Sequence, residues 1–396
     1  MAKRVVAFKP FVTEEMKEAA CRVIESGHYI RTTPDEESEG LAFEREFSRF
    51  LAGHDGRRPA VANLANGTAA MHLAWVAYGI GPGAEVIIPA NTFSSVAHAV
   101  SLVGATPIPV DVEGDTYNMD VDAAAAAITP RTRAIMPVHT AGHPADMDRI
   151  LALAHKHDLL VVEDACQAIG ARHNGRAVGL LGAMGCFSFV QNKAMTCAGE
   201  GGAVGSLDEA RVRRVFNLAN HARGERFHKG NASGRPFLTV VHDSVGFNYR
   251  QSEVLSAIAR VQLRLLPEWV QKRKQWAALY RECIAQAQLP VELPAERPYA
   301  DHSYVRFEIR APQRDAMRAY LRDQGIKTEI HYPTPLHLDD PYREQLGLGA
   351  GSRPVAEHLA QVSLALPIYP QMNADDVAYV VDHMSAFYRQ AKRVTA

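Results

Sequence analysis

The chain has 396 residues, of which 47% are hydrophobic and 22% are charged, and it carries a formal net charge of -1 with a pI near 7.0. This composition is typical of a globular protein that is long enough for two domains. Because the charge is close to neutral, there is no broad positive field, and we expect neither nucleic acid nor an anionic membrane surface as a partner.

The sequence contains no run of eighteen consecutive apolar residues, and its first residues lack the apolar core of a secretory signal. It therefore predicts a cytoplasmic protein without a membrane span. The cysteines are odd in number and include no CxxC pair, which argues against a disulfide framework or a zinc ribbon, and no metal site is predicted. We expect buried free thiols at the five cysteines, which are Cys21, Cys166, Cys186, Cys197 and Cys283.

Between about residues 58 and 205, short β-branched runs alternate with longer helical segments. This alternation is typical of an α/β fold in which a mostly parallel sheet is covered by helices. Strands are predicted at residues 85–89, 106–111, 133–138 and 159–164. Helices are predicted at residues 68–78, 94–103, 120–128 and 145–156.

After Gln251 the pattern is that of a long helix to about residue 287, which Pro267 should break or kink because proline lacks an amide hydrogen. A strand at 303–309 and helices at 314–324 and 374–389 are predicted beyond it. The polar segment 220–245 is predicted to be either a mobile loop or a plain surface connection. These elements predict a large domain with an N-terminal arm (1–255), a helical connector (256–290) and a smaller C-terminal α+β domain (291–396).

Lys193 lies between an apolar run at residues 187–190 and a glycine-rich turn at residues 199–202. This setting favours burial of the side chain, and burial lowers the pKa of a lysine so that more of the amine is neutral. A neutral amine can form a Schiff base with an aldehyde. The simpler interpretation is a solvated lysine beside a tight turn, so the hypothesis needs support from other segments.

Polar residues follow the predicted strands, at the edge where open parallel sheets bind their ligands. Asp164 ends an apolar strand and could hold a protonated ring nitrogen, with the Gln167 amide close by, although an aspartate there is also a common helix N-cap. Asn66, Gly67 and Thr68 precede a predicted helix. Their amides and hydroxyl could bind a phosphate, or they could form only a turn and a cap.

Two further residues extend this pattern. Ser188 offers a hydroxyl five residues before Lys193, and Phe93 could stack on a flat ring or simply belong to the core. An amine, a phosphate site, a carboxylate for a ring nitrogen and a stacking aromatic are together what pyridoxal 5'-phosphate requires. The sequence therefore predicts an enzyme that uses this cofactor, in which Lys193 also moves a proton between carbon centres.

Short motifs that extend along most of the chain point the same way. They are SGHYI (26–30), NGTAA (66–70), PANTF (89–93), VHTAGHPADMD (138–148), EDACQA (163–168), FSFVQNK (187–193), GEGG (199–202), GFNYR (246–250) and HYPTPLH (331–337). With these motifs in this order, the chain from Phe8 to about Met372 resembles the DegT/DnrJ/EryC1/StrS aminotransferases. These are fold-type I pyridoxal phosphate enzymes that aminate keto sugars and ketocyclitols. The resemblance implies a seven-stranded-type, mostly parallel sheet flanked by helices, with a smaller C-terminal α+β domain.

The resemblance also implies roles for the candidate residues. Lys193 would be the Schiff-base lysine, Asp164 would face the pyridine nitrogen, and Gln167 would lie near the phenolic oxygen. Phe93 would stack on the cofactor ring. The phosphate would be bound by Gly67, Thr68, Ser188 and, from the neighbouring subunit of a homodimer with shared active sites, Asn248.

His331 and Tyr332 match a family segment that lines the acceptor pocket, although a structural role in the small domain is an equal alternative. The implied reaction is a ping-pong transamination from L-glutamate or L-glutamine to a keto group of a nucleotide-linked sugar, an aminocyclitol or an aminoglycoside-type antibiotic precursor. Alternatives are an aromatising dehydratase or lyase of the same family and a non-catalytic regulatory module. Members that eliminate a hydroxyl carry histidine in place of the lysine, so Lys193 argues against that branch.

The chain departs from the family pattern at residues 31–40, an insertion near the expected substrate entrance. Its acidic side chains could recognise a larger or cationic acceptor, although runs of charge are usually solvated. The carboxylates concerned are those of Asp35, Glu36, Glu37 and Glu39.

Overall fold

A computed structural model describes residues 4–53, 56–223, 242 and 244–395, so most of the predicted loop at 220–245 lies outside the described residues. The described strands are β1 (Ala60–Leu64), β2 (Glu85–Pro89), β3 (Thr106–Val110), β4 (Thr132–Ile135), β5 (Leu160–Asp164), β6 (Arg172–His173), β7 (Arg176–Ala177), β8 (Met184–Ser188), β9 (Gly202–Ser206), β10 (Ala300–Asp301), β11 (Phe307–Arg310) and β12 (Ser363–Leu366). The described α-helices are α1 (Glu14–Ser26), α2 (Glu39–Leu51), α3 (Gly67–Tyr78), α4 (Ser95–Leu102), α5 (Val121–Ala126), α6 (Met147–Lys156), α7 (Glu209–Ala219), α8 (Glu253–Gln286), α9 (Arg314–Asp323), α10 (Asp340–Leu346), α11 (Pro354–Val362) and α12 (Ala374–Thr395).

The largest sheet has seven strands in the order β1-β9-β8-β5-β4-β2-β3. Strands β2, β3, β4, β5 and β8 pair in parallel, whereas β9 is antiparallel to both of its neighbours, β8 and β1. The predicted α/β class and mostly parallel sheet are therefore confirmed. The carboxyl ends of β5 and β8 lie next to each other in this sheet, which places Asp164 and Ser188 at one edge.

Strand β2 shows how this sheet is buried on both faces. Val86 and Ile88 pack in a core with Trp75 of α3, whereas Ile87 packs on the other side with Ile150 of α6. Successive side chains of a strand point to opposite faces, so a fully apolar strand requires helices on both sides. Helices α3, α4 and α7 cover one face, and α5 and α6 cover the other.

Helix α8 continues through Pro267, so of the predicted break or kink the break is wrong, and a kink stays a prediction. A proline inside a helix costs roughly 3 kcal/mol, but Leu266 and Trp269 beside it are buried in the core, and this packing outweighs the local cost. Farther along the helix, Tyr280 and Ile284 enter a separate core around β11 and β12. The helix thus contributes to two cores, and the domain boundaries at 255 and 290 stay a prediction.

The second core is built on the antiparallel pair of β11 and β12. The strand predicted at 303–309 begins only at Phe307, because Tyr304 has a φ of 48°, which a regular strand does not allow. Helices α9 and α12 match the helices predicted at 314–324 and 374–389, and α12 continues to Thr395. The N-terminal segment joins this core through the buried side chain of Val5.

All five cysteines are free, as predicted. Cys166, Cys186 and Cys197 are buried, Cys283 is half-buried and Cys21 is exposed, so burial was predicted wrongly for Cys21. Among the helices that the structure describes, none is long and apolar enough to cross a membrane.

Candidate active site

A cleft of about 850 Å³ opens at the carboxyl ends of β5 and β8 and at the N-terminus of α3. Its opposite wall is formed by Arg306 and by residues 328–332. Asn248 is not part of the described lining, and its backbone pairs with that of Asn220. The other predicted site residues all line the cleft; they are Gly67, Thr68, Phe93, Asp164, Gln167, Ser188, Lys193, His331 and Tyr332.

Lys193 lies in the segment after β8, where its backbone N–H donates to the Val190 carbonyl at 3.0 Å. The next residue, Ala194, is buried, whereas Lys193 keeps part of its surface exposed toward the cleft. Burial of the amine and the positive charge of Arg306 lower the pKa of Lys193 to about 8, and the negative charge of Asp164 opposes this shift. At about pH 8, half of the amine is therefore neutral and able to act as a nucleophile.

Asp164 is the last residue of β5 and is 3% exposed. Its Oδ1 accepts a hydrogen bond from the Cys166 N–H at 2.9 Å, and the residue lines the cleft. No helix begins in the fully described stretch from 165 to 171, where β6 is the next element. The alternative role of Asp164 as a helix N-cap is therefore wrong, and its carboxylate has acceptor capacity left for a ligand.

The first turn of α3 also lines the cleft. Asn66 caps this helix, with its Oδ1 accepting a backbone N–H at 2.8 Å. A Cβ on Gly67 would lie 2.9 Å from Cys166 Sγ and 3.0 Å from Ser188 Cβ, so glycine is required by packing. The N-terminus of a helix presents unpaired N–H groups and a partial positive charge, which suit a phosphate. The cap and the phosphate site are thus compatible, because Asn66 forms the cap while Gly67 and Thr68 line the cleft.

Gln167 is held by two side chains of the opposite wall. Its Nε2 donates to Tyr332 Oη at 2.7 Å, and its Oε1 accepts from Arg306 Nη1 at 2.8 Å. Arg306 is 9% exposed and was not predicted as a site residue. The sequence shows only a cation in a short apolar stretch, since its contact with Gln167 joins residues 139 positions apart. These bonds fix the amide and connect the two walls of the cleft.

His331 lies between two glutamates, with Nε2 3.0 Å from Glu329 Oε2 and Nδ1 3.1 Å from Glu308 Oε1. Neither His331 Nδ1 nor Glu308 Oε1 meets the criteria for a hydrogen bond with any described residue, so this contact is one of proximity. Burial tends to raise the pKa of Glu308, but the interactions with His331 lower it below its usual value. These contacts give His331 the structural role that the sequence offered as one alternative. His331 also lines the cleft, and its contact with an acceptor stays a prediction.

Phe93 is 59% exposed, so the alternative that it is simply a core residue is wrong. It lines the cleft, where a flat ring would cover it.

His72 also lines the cleft and was not predicted. Its buried ring lies 4.9 Å from that of Phe247 and 5.9 Å from that of Tyr249. The sequence around His72 predicts an apolar helix and gives no sign that this face of it meets a cleft.

The insertion at 31–40 is absent from the cleft lining. Arg31 is buried, donates to Glu44 and lies 4.6 Å from the centre of the Phe216 ring. The acidic side chains of the insertion contact basic groups of the same chain, so the structure does not support recognition of a cationic acceptor by them. The pairs are Asp35 with Arg213 (3.8 Å), Glu36 with His28 (2.8 Å), Glu37 with Arg45 (2.9 Å) and Glu39 with Arg260 (2.6 Å).

The sheet, the lysine and the carboxylate together define a pyridoxal phosphate-dependent aminotransferase. A family model described as the DegT/DnrJ/EryC1/StrS aminotransferase family matches residues 10–385, and the chain belongs to this family of sugar aminotransferases. The predicted family, enzyme class and cofactor are thereby confirmed.

Individual relatives agree in length as well as in sequence. The chain is 38% identical over 372 residues to the erythromycin biosynthesis sensory transduction protein EryC1 of Saccharopolyspora erythraea, which covers 94% of this chain and 95% of that protein. It is 37% identical over 369 residues to the dTDP-3-amino-3,4,6-trideoxy-alpha-D-glucose transaminase of Streptomyces venezuelae, covering 93% and 90%. The crystal structure of S. venezuelae DesV in complex with a ketimine intermediate superposes with a TM-score of 0.87 at 35% identity, covering 97% and 98%.

The residues of the cleft fit pyridoxal phosphate. Gly67 lets the first turn of α3 pack closely against Cys166 and Ser188, so the Ser188 hydroxyl and the N–H groups of this turn lie at the same part of the cleft, where they suit a phosphate. Asp164 offers a carboxylate to a ring nitrogen, and Lys193 offers an amine to an aldehyde within the same cleft. The chemistry of each donor thus matches one functional group of the cofactor.

Proposed function

We propose that this protein transfers an amino group from L-glutamate or L-glutamine to a keto group of a sugar or aminocyclitol. The acceptor is a nucleotide-linked sugar or a precursor of an aminoglycoside-type antibiotic. The observation that carries the proposal is that Lys193, with a pKa lowered to about 8, shares one cleft with Asp164 and the first turn of α3. Support for the acceptor class comes from relatives that are named as aminotransferases or transaminases of nucleotide sugars.

Lys193 and Asp164 divide the chemistry between them. When bound, pyridoxal phosphate supplies an aldehyde that combines with amines and a ring that withdraws electrons from the neighbouring carbon. Lys193 would hold the cofactor through its Nζ, and when this amine is free and neutral it could accept a proton from the substrate carbon and return it. Asp164 would hold the proton on the ring nitrogen through its carboxylate, which lines the same cleft.

The remaining residues of the large-domain wall bind and orient. Gly67, Thr68 and Ser188 hold the phosphate through helix N–H groups and hydroxyls. Phe93, which is exposed and lines the cleft, would stack on the ring. Gln167 approaches the phenolic oxygen with its amide fixed by Arg306 and Tyr332.

The opposite wall receives the acceptor in this proposal. His331 and Tyr332 contact it there, beside Arg306.

Asn248 reaches the phosphate from the neighbouring subunit of a homodimer, which agrees with its position outside the cleft of its own chain. Cross-linking of the purified protein and its mass in solution test the dimer, and a monomer with full activity would contradict it.

The alternative within the same family is an aromatising dehydratase or lyase, and Lys193 argues only against the branch that carries histidine at this position. The two functions differ in product, because transamination consumes a ketone and an amino donor in equal amounts. A non-catalytic regulatory module, the other alternative, does not agree with the enzyme class of the family.

The first test is the visible absorbance of the purified, cofactor-loaded protein before and after excess L-glutamate and then L-glutamine. A yellow band that disappears with one donor and returns with a keto-sugar acceptor demonstrates amino transfer and identifies the donor. The variant Lys193→Ala should lose both the band and turnover. The matched control is Lys272→Ala, which removes a surface lysine paired with Glu268 at 2.8 Å and should keep both. A wild-type protein without any such band contradicts the proposal.

A further inference from the structure

A second cavity, of about 30 Å³, lies against residues 191–196, the segment that carries Lys193. Its walls come from parts of the chain that are distant in sequence, namely residues 8–11, helix α8 and residues 368–370. Gln262 of α8 links two of these parts, because its Nε2 donates to the Phe11 carbonyl at 2.8 Å and its Oε1 accepts from the Thr196 N–H at 3.3 Å. A ligand in this cavity would therefore contact the support of Lys193 and the N-terminal segment together.

Arg273 of α8 lines this cavity and is 6% exposed. Its Nη2 donates to the Ala194 carbonyl at 3.3 Å, next to Lys193 in sequence. Its Nε and Nη1 are buried and have no hydrogen-bond partner among the described residues. Burial lowers the pKa of Arg273 to about 10, but the guanidinium stays charged at neutral pH. A buried cation with two unused donors is costly unless a counter-ion or solvent satisfies it.

The charged residues of the cavity lining are all basic. They are Lys9, Lys193 and Arg273, and no aspartate or glutamate is present in the described lining. Water could satisfy the two N–H groups of Arg273, but it would leave this charge unbalanced. The cavity therefore combines space, free donors and an excess of positive charge.

Three other described arginines are buried; Arg306 donates to Gln167 and Tyr332, and the other two show how a carboxylate satisfies a guanidinium elsewhere in this chain. Arg31 donates to Glu44, and Arg314 donates to Asp315 at 2.7 Å and to the carbonyls of Ser363 and Ala360 at 2.8 and 3.0 Å. Each has a carboxylate partner from its own chain. Arg273 has none among the described residues, which marks its site as one that takes its negative charge from solution.

We propose that this cavity is a binding site for one small monovalent anion of the chloride class, held by Nε and Nη1 of Arg273. A volume of about 30 Å³ accommodates a single solvent-sized species and is too small for a sugar phosphate or a carboxylate substrate. The bound anion joins the N-terminal segment, α8 and the Lys193 segment. It binds the folded protein and not the unfolded chain, so it stabilises the fold in proportion to its occupancy.

The test is thermal unfolding of the cofactor-loaded protein in sodium gluconate, replaced stepwise by sodium chloride or sodium bromide at constant ionic strength. We expect a saturable rise in Tm of about 1–3 °C with either halide. The variant Arg273→Gln should lose this rise. The matched control Arg314→Gln removes a buried arginine that has its own partners, so it should lower Tm but keep the halide-dependent rise.

Crystals of the wild-type protein grown in sodium bromide give a measurement that does not depend on any variant. An anomalous peak within about 3.5 Å of Arg273 Nη1 is the expected result. The proposal is overturned if this position holds only water, or if Tm stays the same when gluconate is replaced by halide. Neither outcome bears on amino transfer, so a failure here is distinct from a failure of the proposed function.

Discussion

Two carboxylates stand side by side at the end of β5 and face opposite sides of the sheet. Asp164 accepts one hydrogen bond from its own segment and lines the cleft. Its neighbour Glu163 is fully buried and accepts four, from the N–H groups of Gly179 (2.7 Å), Leu181 (2.7 Å) and Gly182 (2.7 Å) and from the His139 ring (3.0 Å). The comparison teaches that a carboxylate saturated by its own chain holds the fold, whereas one with spare acceptor capacity beside a cleft is available to a ligand.

The protonation of the Glu163 pair follows from its neighbours. The Ala145 N–H donates to His139 Nδ1 at 3.0 Å, which assigns the ring proton to Nε2 and directs it at Glu163. Burial tends to raise the pKa of Glu163, but the bonds from His139 and from the backbone lower it below its usual value of 4.5. The ionised form of Glu163 is thus part of the folded state.

The largest expected effect is on turnover, from Asp164→Asn. The substitution preserves shape but replaces the carboxylate to which the proposed function assigns the ring proton, and we expect turnover to fall by about 10³-fold. The thermal unfolding midpoint should change little, because Asp164 has one bond within the chain. Steady-state kinetics and calorimetry on one preparation measure both. If Asp164→Asn lowered the thermal unfolding midpoint but kept its turnover, Asp164 would have the structural role that we assign to Glu163.

Glu163→Gln should have the opposite profile. The glutamine amide group would point its own N–H groups at backbone N–H donors that now donate to the carboxylate. We therefore expect a loss of about 3–5 kcal/mol in the free energy of unfolding. Turnover per folded molecule should stay within a few-fold of wild type. Urea titration measures the loss. The control is Glu37→Gln, an exposed carboxylate paired with Arg45, for which no measurable change is expected.

The pH dependence of stability sharpens the same comparison. Because folding lowers the pKa of Glu163, its contribution is fully present above pH 4.5 and is lost as the pH falls through the lower folded value. Unfolding free energies measured between pH 6 and pH 3 should therefore fall less steeply in Glu163→Gln than in wild type. Identical slopes would show that Glu163 is not ionised in the folded protein.

Gly67→Ala tests the phosphate side of the cleft with a smaller effect. The added Cβ would lie 2.9 Å from Cys166 Sγ, so either helix α3 or the segment that carries Cys166 has to shift. We expect cofactor affinity to fall by about 10- to 100-fold. Fluorescence titration of the apoprotein with pyridoxal phosphate measures it. Gly349→Ala, where a Cβ meets nothing within 4 Å, is the control.

The smallest effect is expected from Arg306→Gln. Removing a positive charge near Lys193 favours the protonated amine, so the pKa of Lys193 should rise above about 8. The rate at which apoprotein takes up the cofactor, plotted against pH, should then move its midpoint to higher pH. A midpoint that stays in place would mean that Arg306 does not contribute to the lowered pKa of Lys193.

The sequence predicted well what depends on local pattern and poorly what depends on tertiary contact. Strand β2 and the residues after β5 follow from apolar runs and their ends. The predicted strand at 133–138 ends earlier, at Ile135, because Pro137 cannot donate to a ladder. Arg306 could not be predicted as a site residue, because only the fold brings it to Gln167, which is distant in sequence and lies on the other wall of the cleft. Nor does the sequence distinguish Glu163 from Asp164, because only the fold supplies the four donors to one of them.

The origin of the two walls along the chain matters for engineering. Lys193, Asp164 and the first turn of α3 all precede α8, whereas Arg306, His331 and Tyr332 all follow it. Under the proposed function, a chimera that joins residues 1–286 of this chain to the remainder of a relative would retain the groups assigned to the cofactor and exchange the facing wall in one step. Acceptor selectivity would then be recombined without rebuilding the chemistry, provided that the relative has an arginine and a tyrosine at the positions of Arg306 and Tyr332, which contact Gln167.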